Sequence, residues 1–122
     1  MNIERQEIYR GIAEMAYVIA KADKGLSAEE RIAFQKIIQE ELAYDSWAAL
    51  SRFELLDEIT QPSTDVAYKE AIHDFRKYKS FLTNELKQTC LRVMEKVADS
   101  CSGLSEKEAD ILTRFRNDIR DL

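Results

Sequence analysis

A short pattern that ends one helix and begins the next occurs twice in this chain of 122 residues. The segment Gly25-Leu26-Ser27-Ala28-Glu29-Glu30 returns as Gly103-Leu104-Ser105-Glu106-Lys107-Glu108. Glycine ends a helix by adopting the left-handed conformation, and serine followed three residues later by glutamate forms the capping box that begins the next helix. Each copy therefore predicts a tight corner between two helices.

The two corners also agree in their surroundings. They cover residues 20–38 and 98–116, and in both an alanine stands five residues before the glycine (Ala20 and Ala98). This agreement predicts two similar helical hairpins that are related by internal duplication. Because the chain has only three glycines and one proline, we expect a single all-α domain of about six helices spanning residues 1–122.

Apolar residues at helical spacing locate these helices. Breaks are expected at residues 60–64 and between Ser80 and Asn84. Residues 15–20 are apolar on every side, which indicates that the first helix lies at the centre. The third helix is expected to bury five side chains, those of Trp47, Leu50, Phe53, Leu56 and Ile59.

The composition bears on partners and location. A net charge of −5, from 23 acidic and 18 basic side chains, argues against nucleic acid as the main partner. The charged N-terminus lacks the apolar run of a signal peptide, and no apolar stretch approaches the ~18 residues of a membrane span. We therefore expect a cytoplasmic protein without a transmembrane segment.

No motif for catalysis is present. Cys90 and Cys101 on one helix would lie too far apart for a disulfide, and both are expected to be small buried hydrophobes. His73 is expected at the surface. Because the sequence contains no nucleophile motif, glycine-rich phosphate loop or metalloprotease signature, we expect that the protein is not an enzyme.

The first corner resembles the hallmark of the tellurite-resistance TerB-like family. In that family an apolar helix ends in Ala-x-Ala-Asp-Gly and is followed by an apolar residue, a capping serine or threonine, and a glutamate. Residues 20–30 match this pattern with Lys24 inserted between Asp23 and Gly25. Residues 97–108 stand where the family repeats the motif, with Cys101 at the position of Asp23.

The resemblance implies an all-helical domain linked to bacterial stress responses, namely resistance to tellurite, phage and colicins. It also implies a protein partner at the inner membrane surface and acidic residues proposed for metal binding, with no enzymatic activity. A non-enzymatic interaction or sensing module is therefore the function that we expect.

The first corner is also the candidate metal site. Asp23, Glu29 and Glu30 supply the hard oxygen ligands that calcium or magnesium prefers, which makes a weakly bound divalent cation the hypothesis. An EF-hand is excluded because the spacing from Gly25 puts Arg31 where its glutamate would stand. Asp23 and Glu30 also suit purely structural roles, in the turn and in the capping box. Two alternatives stay open: a metal-dependent enzyme or phosphate-handling protein using Asp23 and Glu30, and a scaffold that binds a partner helix.

Overall fold

The computed structural model describes residues 3–22, 28–43, 46–100 and 105–122, apart from the side chain of Glu30. Within these residues the chain forms six α-helices, a π turn and a 3-10 turn, and no strand. The α-helices are α1 (Ile3–Lys21), α2 (Ala28–Leu42), α3 (Ser46–Glu54), α4 (Thr64–Lys77), α5 (Asn84–Ser100) and α6 (Glu106–Arg120). The predicted all-α fold is confirmed, and the internal duplication stays a prediction.

Helix α1 forms the centre of the molecule, as its apolar sequence predicts. Every residue from Gly11 to Ala20 is buried, and the helix packs against α3, α4 and α5. The packing against α4 is tight at Gly11, where an added Cβ atom would lie only 3.1 Å from Cε1 of Phe75. Glycine at this position therefore lets the two helices pack closely.

The breaks before α4 and before α5 lie where the sequence predicts them. Helix α4 is capped by Ser63, whose Oγ accepts a hydrogen bond from the amide of Val66 at 3.2 Å. The break before α5 is the 3-10 turn, Lys79–Phe81. Helix α6 begins with the predicted capping box of Ser105 and Glu108. Gly25, Ser27 and Gly103, the other corner residues of the prediction, lie outside the described residues.

Helix α3 continues into the π turn, Leu55–Thr60, in which the amide of Gln61 donates to the carbonyl of Leu56 at 2.9 Å. Phe53 and Leu56 are buried as predicted, but the predicted burial of Trp47 and Ile59 is wrong, since these side chains are 47% and 73% exposed. In α3 itself the buried side chains lie on the side of the helix away from Trp47. For Ile59, the prediction assumed that the regular α-helix continues. The wider π turn has more residues per turn than an α-helix, so Ile59 no longer lies on the buried face.

No helix in the described parts of the chain is both long enough and apolar enough to cross a membrane.

Candidate functional site

The residues predicted to bind a metal ion lie only partly within the described structure. Glu29 is exposed in the first turn of α2, whereas Asp23 and the side chain of Glu30 lie outside the described residues. Elsewhere, among the side chains that the structure does describe, no three from His, Cys, Asp and Glu are placed to hold a metal ion together. The divalent site at the first corner therefore stays a prediction.

The other reactive side chains agree with their predicted roles. His73 is exposed on α4. Cys90 is a free, fully buried thiol on α5, and burial raises its pKa to about 12. A thiol with such a pKa stays protonated near neutral pH, so it behaves as a small hydrophobe. Cys101 lies outside the described residues.

Glu14 is a functional candidate that sequence reasoning missed. It lies in the middle of the buried segment of α1, and its side chain is only 1% exposed. One carboxyl oxygen, Oε1, is buried without a hydrogen-bond donor. An acidic residue directly beside the apolar run of residues 15–20 was the available signal, because carboxylates are almost never fully buried unless they are paired.

The side chains around Glu14 come from α3 and α4. Nη1 of Arg52 lies 3.7 Å from Oε2 of Glu14, and the carboxyl group of Asp74 lies close enough to share a proton with it. These residues border an open cavity of about 360 Å³. We call this cavity the Glu14 pocket, and its lining is Glu14, Arg52, Lys69, Glu70, His73 and Asp74.

The environment of the pocket keeps Glu14 protonated. Burial is the largest cause, since it removes water from the charged form, and the nearby carboxylates of Asp74 and Glu70 act in the same direction. Arg52 opposes them, but together they raise the pKa of Glu14 to about 9. In its neutral form the carboxyl group of Glu14 can donate a hydrogen bond to the carboxylate of Asp74.

A second candidate surface lies on the outer side of α3 and its π turn. Trp47, Ser51, Leu55 and Ile59 follow one another at intervals of four residues, and all four are exposed. We call this row the α3 face. The guanidinium of Arg10 on α1 lies 6.0 Å from the centre of the Trp47 ring.

The α3 face borders a groove of about 460 Å³. Basic and acidic side chains both line it, which makes its charge mixed. The lining residues are Arg10, Ser51, Arg52, Glu54, Leu55, Glu58 and Ile59. Because Arg52 lines this groove and also the Glu14 pocket, the two sites are neighbours.

Comparisons with known proteins add no family to this description. No family model matches the chain, and neither a curated protein nor a solved structure matches it. The TerB-like resemblance therefore rests on the corner motif alone.

Proposed function

We propose that this protein is a non-enzymatic interaction module that binds another protein through the α3 face. The observation that carries the proposal is the exposure of Trp47, Leu55 and Ile59 on one side of α3 and its π turn. Adjacent exposed apolar side chains mark interaction sites on protein surfaces, and tryptophan is among the residues that contribute most to binding.

The shape and charge of this surface suit a partner helix. A groove beside an apolar row accepts the apolar face of an amphipathic helix, whose anchor residues repeat every three or four positions. Arg10 and Arg52 on one hand, and Glu54 and Glu58 on the other, line the same groove. Such mixed charge at the edge of an apolar surface favours one orientation of the partner over others.

The biological setting is a further part of the proposal, and its support is the motif resemblance. We propose a cytoplasmic, stress-linked role with a partner at the inner membrane surface. Deleting the gene from the organism that carries it should increase sensitivity to tellurite or to phage. Unchanged growth under both stresses would count against this setting, but it would say nothing about binding through the α3 face.

Site-specific photo-crosslinking tests the interaction itself. Benzoylphenylalanine is placed at Leu55 or Ile59 in the full chain, expressed in its native cells, and crosslinked products are identified by mass spectrometry. The matched control is Ile32 on α2, an isoleucine that is 67% exposed and does not line the groove. We expect one protein to crosslink at positions 55 and 59 and not at position 32.

Serine substitutions make the same test quantitative. The immobilised Ile59→Ser variant should no longer capture the crosslinked partner, whereas the immobilised Ile32→Ser variant should capture it as the wild type does. Crosslinks that are identical at positions 32 and 59, or absent from all three positions, would overturn the proposed function.

A further inference from the structure

Two exposed glutamates border the α3 face along one edge. Glu54 and Glu58 are four residues apart, at the end of α3 and in its π turn, and both line the groove that Leu55 and Ile59 also line. Both glutamates also line a second cavity of about 150 Å³, which lies between α3 and α2. The two carboxylates therefore stand between two hollows of the surface, beside the exposed apolar side chains.

The two glutamates have no ionic partner of their own. The nearest cation is the guanidinium of Arg31 on α2, which lines the second cavity and acts electrostatically on Glu58. However, its Nε donates to the carboxylate of Asp57 at 2.8 Å. Within the described residues, no ion pair or hydrogen bond occupies the carboxylate of Glu54 or Glu58. Their negative charge is thus available to a partner.

The basic residues of the groove lie on its other side. Arg52 lines the Glu14 pocket as well as the groove, and its Nη1 lies 3.7 Å from Oε2 of Glu14. Arg10 forms an ion pair with Glu7. The positive charge of the groove is therefore directed toward acidic groups of the chain itself. A helix that lies on the α3 face meets uncompensated negative charge along the flank that faces the two glutamates.

We propose that the partner segment that binds the α3 face is a basic amphipathic helix. This inference rests on the proposed function and adds the chemistry of the partner. The apolar residues of the partner helix cover Leu55 and Ile59, and two of its lysine or arginine residues pair with Glu54 and Glu58. Because residues four apart are neighbours on a helix surface, basic residues at that spacing on the partner match the two glutamates.

Two other occupants suit this surface less well. A second copy of the chain would bring the same two glutamates and the same net charge of −5, so electrostatic repulsion opposes its approach. An anionic membrane surface attracts basic segments and repels acidic ones. A basic helix, in contrast, gains from charge complementarity, which speeds the encounter and disfavours like-charged competitors.

Two model helices test the charge of the partner. Both are stapled peptides of about 18 residues with the same row of leucines, and one carries lysine where the other carries glutamate. Fluorescence anisotropy measures their binding to the full chain at physiological ionic strength. We expect the lysine helix to bind at least about tenfold more tightly than the glutamate helix.

Substitutions locate the binding on the α3 face. Glu54→Gln combined with Glu58→Gln should weaken binding of the lysine helix about fivefold or more, because two ion pairs are lost. The control is Glu40→Gln combined with Asp110→Asn, which removes the same charge from exposed positions that line neither cavity. This control should change the affinity less than about twofold, since salt screens distant charges. Replacing both groove glutamates by lysine should reverse the preference, so that the glutamate helix binds more tightly.

Four results would overturn the inference: binding of neither helix, equal or tighter binding of the glutamate helix, equal effects of the glutamine pair and its control, or a dimer of the full chain that Ile59→Ser dissociates. The photo-crosslinks at Leu55 and Ile59 keep this inference separate from the proposed function. A single crosslinked protein whose attached segment has no basic residues would contradict the basic helix and leave the proposed function standing. Absent crosslinks would overturn the proposed function, whichever model helix binds.

Discussion

At the scale of single residues, Glu14 makes the stability of the protein depend on pH. A carboxyl group that is neutral in the folded protein but ionised in the unfolded chain favours unfolding as pH rises. Its pKa is raised to about 9 from an ordinary value of 4.5. The folded state thus binds more protons than the unfolded state between these two values, and stability falls across that range.

Glu14→Gln should remove this loss of stability at high pH, because glutamine has no proton to release and its amide still reaches Asp74. Each pKa unit corresponds to about 1.4 kcal/mol. We expect the stability of the variant relative to wild type to increase by about 2 kcal/mol or more from pH 4 to pH 8. Urea denaturation at several pH values measures this difference. Parallel curves for the two proteins would show that Glu14 titrates normally.

Ser105 stabilises the start of α6 as its N-cap residue. Its Oγ accepts from the amide of Glu108 at 3.1 Å, and Oε1 of Glu108 accepts from the amide of Ser105 at 3.0 Å. Ser105→Ala should cost about 0.5–2 kcal/mol of unfolding free energy. Thr113→Ala, which removes an exposed hydroxyl from the same helix, should change it by less than about 0.5 kcal/mol. Equal effects from the two substitutions would rule out a capping role for Ser105.

Asp23 carries the prediction of a weak divalent site at the first corner. For a dissociation constant of about 10⁻⁴ to 10⁻³ M, ~10 mM calcium or magnesium would add about 1.4 to 2.7 kcal/mol of stability. Asp23→Asn should abolish that increment and leave ion-free stability unchanged. Thermal unfolding with and without each ion measures it. A melting temperature that no ion shifts would end the metal hypothesis.

Between elements, the closest packing joins α1 to α4. Phe75 is fully buried against the helix surface at Gly11, and a side chain at position 11 would have to displace its ring. Gly11→Val should therefore destabilise the protein by about 1–3 kcal/mol. Adding Phe75→Leu should recover part of that loss, because it frees space beside position 11. Additive losses in this double-mutant cycle would show that the two positions do not compete for space.

The helices themselves could be predicted from sequence because their signals are local. The second capping box needs only a serine and a glutamate three residues apart. The apolar residues of α1 and α5 likewise repeat within a few positions along the chain. The exposure of Ile59 could not be predicted, because it depends on a π turn that simple periodicity does not reveal. The Glu14 pocket was missed because its partners Arg52 and Asp74 are far away in sequence, and only the packing of α1 against α3 and α4 brings them together.

For the molecule as a whole, the candidate binding features lie on neighbouring surfaces. The Glu14 pocket and the groove beside the α3 face share Arg52, so the charge of a buried carboxyl on α1 acts on a side chain at the edge of the proposed docking surface. When Glu14 is neutral, Arg52 is held less strongly in the pocket and is more available to an acidic group of the partner. The two sites thus form one region whose charge depends on Glu14.

Nuclear magnetic resonance titration of the labelled protein tests this claim most directly, by following the Glu14 carboxyl carbon and the Arg52 Nε–H group from pH 4 to pH 10. We expect both signals to change together, with a common midpoint well above pH 4.5, and we expect Glu14→Gln to remove the change at Arg52. A Glu14 midpoint near 4.5, or an Arg52 signal that does not follow Glu14, would contradict it.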